Sequence, residues 1–300
     1  MTLTTRPTRA STNTPATGAA AGAAAAEDGL TALDFDFLRE LVLRRSAIVL
    51  DDGKGYLLES RLQPIVRQEG MGSFAQLVSV LRRSPRSSLE ARVVDAMTTN
   101  ETSFFRDVHP FDSMVELLSA SPGGSSLTGQ IHIWCAAASS GQEPYSIAMT
   151  LLEKAPELAR RTRILATDLS PTMVQRCREG RYSQLEVNRG MPARYLVKHF
   201  EQDGTEWVAR PELRSMVDTR TANLAEPFPA IPRCDLVMLR NVLIYFSVDT
   251  KTDILGRIRR NVLKPGGVLM LGGSETTHNI DDAYERVEFG RTSCYRPRAA

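Results

Sequence analysis

Histidine is scarce in this sequence, and no long apolar run, no zinc-type cysteine spacing and no surplus of either charge is present. The four histidines of the 300 residues are scattered, so chemistry built on clustered imidazoles has nothing to draw on. The four cysteines, Cys135, Cys177, Cys234 and Cys294, form no Cys-x-x-Cys pair and no Cys/His group, so a metal site is not expected. Cys135 and Cys234 lie in apolar runs, where a buried thiol is the plain reading, and a structural disulfide is not expected. No apolar run approaches the roughly 18 residues that span a bilayer, and the N-terminus lacks the apolar centre of a secretory signal. The expected location is therefore the cytoplasm. Lys and Arg number 37 against 35 Asp and Glu, a net charge of +2, and the two signs are interleaved. Nothing in that balance points to a nucleic-acid partner.

What is present divides into segments. Residues 1–29 are dominated by Thr, Ala, Gly, Ser and Pro, a composition that buries too little surface to offset ordering entropy, and a disordered tail is expected. Residues 30–97 carry helical periodicity. Phe35, Leu38, Leu41 and Val42 share a face, a second helix runs from about Tyr56 to Gln68, and Ser73 caps a third. Ser87 or Ser88 caps a fourth. Four short helices predict a small all-helical domain. Residues 98–129 are a linker and one further helix. From 130 to 300 strands alternate with helices: Ile131–Cys135, Arg163–Thr167, Met216–Ala222, Cys234–Leu239 and Val268–Leu271 read as strands. A helix starts at Glu143, and another spans about Asp249 to Leu263. Lys264-Pro265-Gly266-Gly267 is a sharp stop, and the chain ends in a hairpin through Gly290. The expected fold class is α/β, a parallel Rossmann-like sheet with helices on both faces. Residues 190–215 break the rhythm with a short helix, Pro192–Phe200, and two strand-like pieces around Gly204, so a small inserted β-subdomain is expected.

Four places carry polar residues in positions that need explaining. The turn Ala136–Pro144 has small residues that let a ligand approach the backbone, and the following helix N-terminus aims amides at it. With a single Gly and no Lys it is neither a dinucleotide fingerprint nor a P-loop. Glu143 there either complements the helix dipole or meets a ligand ammonium. Asp168, after the second strand, either takes ribose hydroxyls or, with Ser170, caps a helix. The stretch Thr98–Arg106 joins the two domains; Arg106 either clamps a carboxylate or belongs to a plain linker. Arg240 and Asn241 follow an apolar strand, where polar groups require partners, either a ligand at the sheet edge or local backbone.

Taken together, TTNETSFFR, WCAAASSGQEPYSIAM, ATDLS, LRNVLIYF and KPGGVLMLGGSE resemble the CheR-type chemotaxis receptor methyltransferases, in order and spacing, over roughly residues 30–297. The resemblance implies a class I S-adenosylmethionine methyltransferase domain preceded by an all-helical domain. The implied activity is transfer of a methyl group to glutamate carboxylates of a chemoreceptor's cytoplasmic helical region, with S-adenosylhomocysteine as product. It implies that Asn100, Thr102 and Arg106 line the cofactor and reaction centre, that Glu143 faces the methionyl part and that Asp168 faces the ribose. Asn223 and Leu224 would lie near adenine, with Arg240 and Asn241 as further cofactor contacts. Tyr245 would stand beside the transferred methyl, and Arg106 and Tyr245 are the catalytic candidates. The loop Glu201–Glu206 is shorter and poorer in glycine than in members that dock a receptor's C-terminal pentapeptide, so this chain resembles the pentapeptide-independent group.

A glutamate nucleophile has an unperturbed pKa near ~4.3 and is already ionised at neutral pH, so the absence of a His or Cys constellation matches such a reaction. Lys54, Arg61 and Arg67, on or beside the second helix, either meet an acidic substrate helix or form a solvated face. Asp51, Asp52, Glu59 and Glu69 lie close to them in sequence. A monomer is expected. Competing readings are a small-molecule methyltransferase, a non-catalytic regulator that binds cofactor or receptor on the same fold, and a dinucleotide oxidoreductase, the last disfavoured by the single-Gly turn.

Overall fold

The computed structural model describes residues 29–120 and 129–298; the expectation for the N-terminal tail lies outside them. Four helices open the described chain: α1 Ala32–Ser46, α2 Gly55–Gln68, α3 Phe74–Arg83 and α4 Ser88–Met97. Three start at side-chain caps. Thr31, Ser73 and Ser87 accept the amides of Asp34, Gln76 and Glu90, which satisfies donors that a first helical turn leaves free. Their apolar stripes close a core of their own, in which Leu38, Leu58, Leu62, Leu77 and Val93 are fully buried. Phe35 packs at its margin.

Helix α5 (His109–Ala120) leads into the second domain. There β1 (Ile131–Ala136), α6 (Gln142–Lys154), β2 (Thr162–Asp168) and α7 (Pro171–Glu179) follow in turn. Strands β3 (Arg181–Ser183), β4 (Phe200–Asp203) and β5 (Glu206–Ala209) come next. They are followed by β6 (Val217–Thr221), β7 (Cys234–Leu239), α8 (Val248–Arg257), β8 (Leu263–Leu271), β9 (Tyr284–Phe289) and β10 (Thr292–Pro297). The seven-stranded sheet runs β6-β2-β1-β7-β8-β10-β9. Strands β6 to β8 of that order are parallel, and β10 is antiparallel to both neighbours. Strand β1 pairs with β2 on one side and β7 on the other. The order reverses there, and the connections diverge to leave a crevice at the strands' carboxyl ends. Both faces of the sheet are covered, and β7 is buried at every residue, the signature of a central parallel strand.

Three details depart from the sequence reading. The inserted subdomain is a three-stranded sheet in the order β3-β5-β4 that begins at Arg181, ahead of residue 190. A three-residue strand straight after a helix cap is too short to show periodicity. The helix expected to reach Leu263 does run to Val262, but it changes from α to π geometry after Arg257. The Lys264–Gly267 stop lies inside β8, where the register to β7 slips between Cys234 and Leu236. A Cβ on Gly267 would stand 2.8 Å from the Cys234 carbonyl oxygen, so only glycine permits that approach. No helix among the described residues is long and apolar enough to cross a membrane.

Candidate active site

Three loops at the carboxyl edge of the sheet and one from the helical domain converge on a single pocket. The first loop follows β1. Ala137, Ser139 and Gly141 all take positive φ (58°, 50° and 98°), which folds the chain back sharply before α6. At Gly141 a Cβ would approach Cys177 Sγ to 2.6 Å, so the position requires glycine on two counts. The Ser139 amide donates to Asp168 Oδ2 at 2.8 Å, and its hydroxyl donates to the Asn100 carbonyl at the same distance. One serine thus ties the loop after β1 to the acid that ends β2 and to the interdomain linker.

Ser170 caps α7 through the Met173 amide, while Asp168 accepts the Ser139 and Ser170 amides, one on each oxygen. A carboxylate offers about four lone-pair positions, more than the backbone amides around Asp168 occupy. Burial pushes its pKa up, against the amides of Ser170 and Ser139, which lower it.

The second loop follows β7. Arg240 is almost wholly buried, its side chain 2% exposed. It donates to Glu143 Oε2 at 2.7 Å, to Asp107 Oδ2 at 2.6 Å and to the Arg106 carbonyl at 3.0 Å. Asn241 turns at φ 58° into a 3₁₀ turn, Leu243–Tyr245. The anchor of that turn is Glu275, to which the sequence reading gave no role. Its carboxylate accepts four backbone amides, those of Asn241, Val242, Leu243 and Gly272, at 2.7 to 2.9 Å. A Cβ on Gly272 would sit 2.7 Å from both Asn241 Nδ2 and Glu275 Oε2. The segment Gly272–Glu275 was in view as a motif, but an acid in a glycine-rich turn does not announce that it will bind another loop's backbone.

The third loop is the linker. Arg106 donates to the Glu101 carbonyl at 3.2 Å, and the Glu101 carboxylate pairs with Arg189 of the inserted subdomain at 2.9 Å. Arg189 first, then Arg106, holds the Glu101 carboxyl below its ordinary range. The helical domain closes the pocket from the far side. Ser46 and Ile48 line it, Asn223 Nδ2 donates to the Arg45 carbonyl at 2.8 Å, and the Val49 amide donates to the Tyr245 carbonyl at 2.9 Å.

Asn100, Thr102, Arg106, Glu143, Asp168, Asn223, Leu224, Arg240, Asn241 and Tyr245 all line this one pocket. Lys54, Arg61 and Arg67 are not among its lining residues. The Arg61 guanidinium donates to the carbonyls of Met97 and Thr98 and to the Thr99 hydroxyl, clamping the junction between α4 and the linker. Lys54 pairs with Asp51 at 2.7 Å and is 42% exposed; Arg67 is exposed.

Two family models divide the chain. The CheR methyltransferase all-alpha domain matches residues 33–98, and the CheR methyltransferase SAM binding domain matches residues 100–292. The chain belongs to the CheR methyltransferase family. It is 40% identical over 266 residues to chemotaxis protein methyltransferase Cher2 of Pseudomonas putida, covering 85% of this chain and 94% of that one. Chemotaxis protein methyltransferase 1 of Pseudomonas aeruginosa is 39% identical, with 88% and 98% covered. Chemotaxis protein methyltransferase 1 of Vibrio cholerae is 40% identical, with 84% and 92% covered.

The family's cofactor is S-adenosylmethionine, and the pocket has the mixed character that a nucleoside bearing an amino-acid tail demands. Ile48, Leu169, Leu224 and Phe246 give it apolar walls, while Glu143 and Asp168 bring two carboxylates. Its lining contains no His, Cys or Lys, and no cluster that could hold a metal ion occurs among the described residues. All four cysteines are free and buried.

Proposed function

We propose that this chain is a protein-glutamate O-methyltransferase, acting in the cytoplasm as a monomer on the helical region of a chemoreceptor. The observation that carries the reading is the composition of the pocket: a cofactor site with Arg106 and Tyr245 on its lining, no His, Cys or Lys, and carboxylates already engaged by protein groups. Glu143 is paired with Arg240, Glu101 with Arg189, and Asp168 is buried against two amides. An amine nucleophile arrives protonated and needs a base. A carboxylate with a pKa near ~4.3 does not.

Bound in this pocket, S-adenosylmethionine supplies an electrophilic methyl and leaves as S-adenosylhomocysteine. Asp168 is suited to its ribose hydroxyls, Glu143 to its ammonium, and Asn223 and Leu224 to the purine, with Asn100, Thr102, Arg240 and Asn241 completing the holding set. Arg106 orients the incoming carboxylate with a planar pair of donors, and Tyr245 holds it by one hydrogen bond. Positioning of this kind can supply on the order of 7–11 kcal/mol of the barrier.

Of the three basic candidates, the exposed Arg67 and Lys54, which is paired with Asp51, are left at the surface for an acidic substrate helix, while Arg61 is taken up by Met97, Thr98 and Thr99. The hairpin between β4 and β5 turns within Gly204 and Thr205, which supports independence from a receptor pentapeptide. The test is transfer of a radiolabelled methyl to a chemoreceptor cytoplasmic fragment, followed by mild base. Release of labelled methanol supports the ester; base-stable label, or no transfer by protein that binds S-adenosylhomocysteine in calorimetry, rules it out.

A further inference from the structure

Arg240, expected as a cofactor contact, spends both terminal nitrogens on protein. One meets Glu143 at the start of α6; the other meets two consecutive residues of the linker, the Arg106 carbonyl and the Asp107 carboxylate. We propose that Asp107 and Arg240 form a clasp that positions Arg106 for the reaction, with Asp107 a positioning residue that touches neither cofactor nor substrate.

Three observations support this. The linker is bent against its preferences at this point: Phe105, Asp107 and Val108 all have positive φ, at 50°, 69° and 53°. Val108 is β-branched, for which such a backbone is a genuine outlier. Such a conformation persists only when its surroundings over-determine it. The entry to the bend is pinned, Phe104 by packing edge-on to Tyr182 and Phe200 and Phe105 by its amide on Ser146 Oγ at 3.0 Å. At Arg106 itself the backbone is held by Arg240, and among the described residues the side chain's hydrogen bond goes to the Glu101 carbonyl. Finally, the side chains of the clasp differ in exposure, 2% for Arg240 and 51% for Asp107. Asp107 can therefore be changed without opening the core, and it does not line the cofactor pocket.

The proposal rests on Arg106 as the residue that orients the substrate carboxylate, and the experiment separates the two. Asp107→Gly accepts the positive φ and removes the clasp; Asp107→Asn accepts it too and keeps one neutral acceptor. In wild type and both variants, S-adenosylhomocysteine affinity is measured by calorimetry, methyl transfer by kcat and KM for a receptor fragment, and amide exchange over residues 103–108 by mass spectrometry. The expected result is a kcat reduced at least tenfold in Asp107→Gly and partly recovered in Asp107→Asn. KM and product affinity should stay within about twofold, and exchange over 103–108 should quicken in the same order. Unchanged exchange in Asp107→Gly overturns the clasp whether or not the wild type methylates a receptor. So does a loss confined to cofactor affinity with kcat intact. Failure of the wild type to form a base-labile ester overturns the function while exchange still decides the clasp.

Discussion

The helical domain and the edge of the sheet are built on opposite terms. In α1, α3 and α4 local preference and tertiary packing agree: a Thr or Ser caps each start, and the apolar stripe meets one core. Its two left-handed residues without glycine's freedom, Ala47 and Arg86, lie just after one helix and just before another. Around the pocket the local rules are broken repeatedly. Phe105, Asp107, Val108, Ala137, Ser139 and Asn241 all take positive φ; Asp107 and Asn241 adopt it readily, and each of the other four does so at a cost of roughly 1–3 kcal/mol. The strain falls on the three loops that bring Arg106, Glu143 and Tyr245 to one place. A scaffold can be made from preferred conformations, whereas a site must put particular atoms in particular places.

The largest effect expected of that difference is on chemistry without stability. Arg106→Ala should lower turnover roughly 100-fold or more, the scale of a lost positioning or charge contact. Its urea midpoint should stay close to wild type, because Arg106 is half-buried and its side chain makes one weak hydrogen bond. Wild-type turnover would remove Arg106 from the reaction. Glu275→Gln should damage both quantities. One of its oxygens accepts Asn241 and Gly272, the other Val242 and Leu243. An amide group in its place turns a donor toward two of those N–H groups. Each unsatisfied buried amide costs about 1–3 kcal/mol, so a loss of about 3 kcal/mol in denaturant unfolding is expected, with turnover falling as the Tyr245 turn loosens. A stability change under 1 kcal/mol would mean that the loop does not depend on this carboxylate.

The same division explains what the sequence disclosed. The cap Ser73, a cap at one of Ser87 and Ser88, the apolar face of α1 and the buried strand β7 follow from periodicity and side-chain chemistry, and the structure has them there, with Ser87 as the second cap. Ten polar and apolar positions spread from Asn100 to Tyr245 were nameable because their motifs resemble a known pattern, not because any local rule brings them together; they share one pocket. What stayed hidden was mostly long-range. Nothing near Glu275 in sequence identifies its amide partners, and nothing near Arg61 says that its guanidinium will be taken up by the carbonyls of Met97 and Thr98. Asp107 drew no notice because its meaning depends on an arginine 133 positions away. The early start of the inserted sheet was missed for a different reason: β3 has three residues, fewer than two periods of alternation.

The smallest effects test the comparison best, because their signs differ. In the helical domain any departure from the preferred residue should cost stability: Ser73→Ala removes the cap on the Gln76 amide and should lower unfolding free energy by about 1 kcal/mol, with methyl transfer untouched. At the pocket edge the reverse should hold. Val108 is 54% exposed, so replacing it surrenders little buried surface, and asparagine tolerates a φ of 53° far better than a β-branched residue. Val108→Asn should therefore raise stability by roughly 0.5–1 kcal/mol, part of the strain returned. Glycine would be the poorer choice, since its greater freedom in the unfolded chain offsets the relief. Thermal and urea unfolding of the two variants side by side decide the matter. If Val108→Asn is as destabilising as Ser73→Ala, the bend at the linker is not held against its preference, and the contrast between a relaxed scaffold and a strained site fails at that loop.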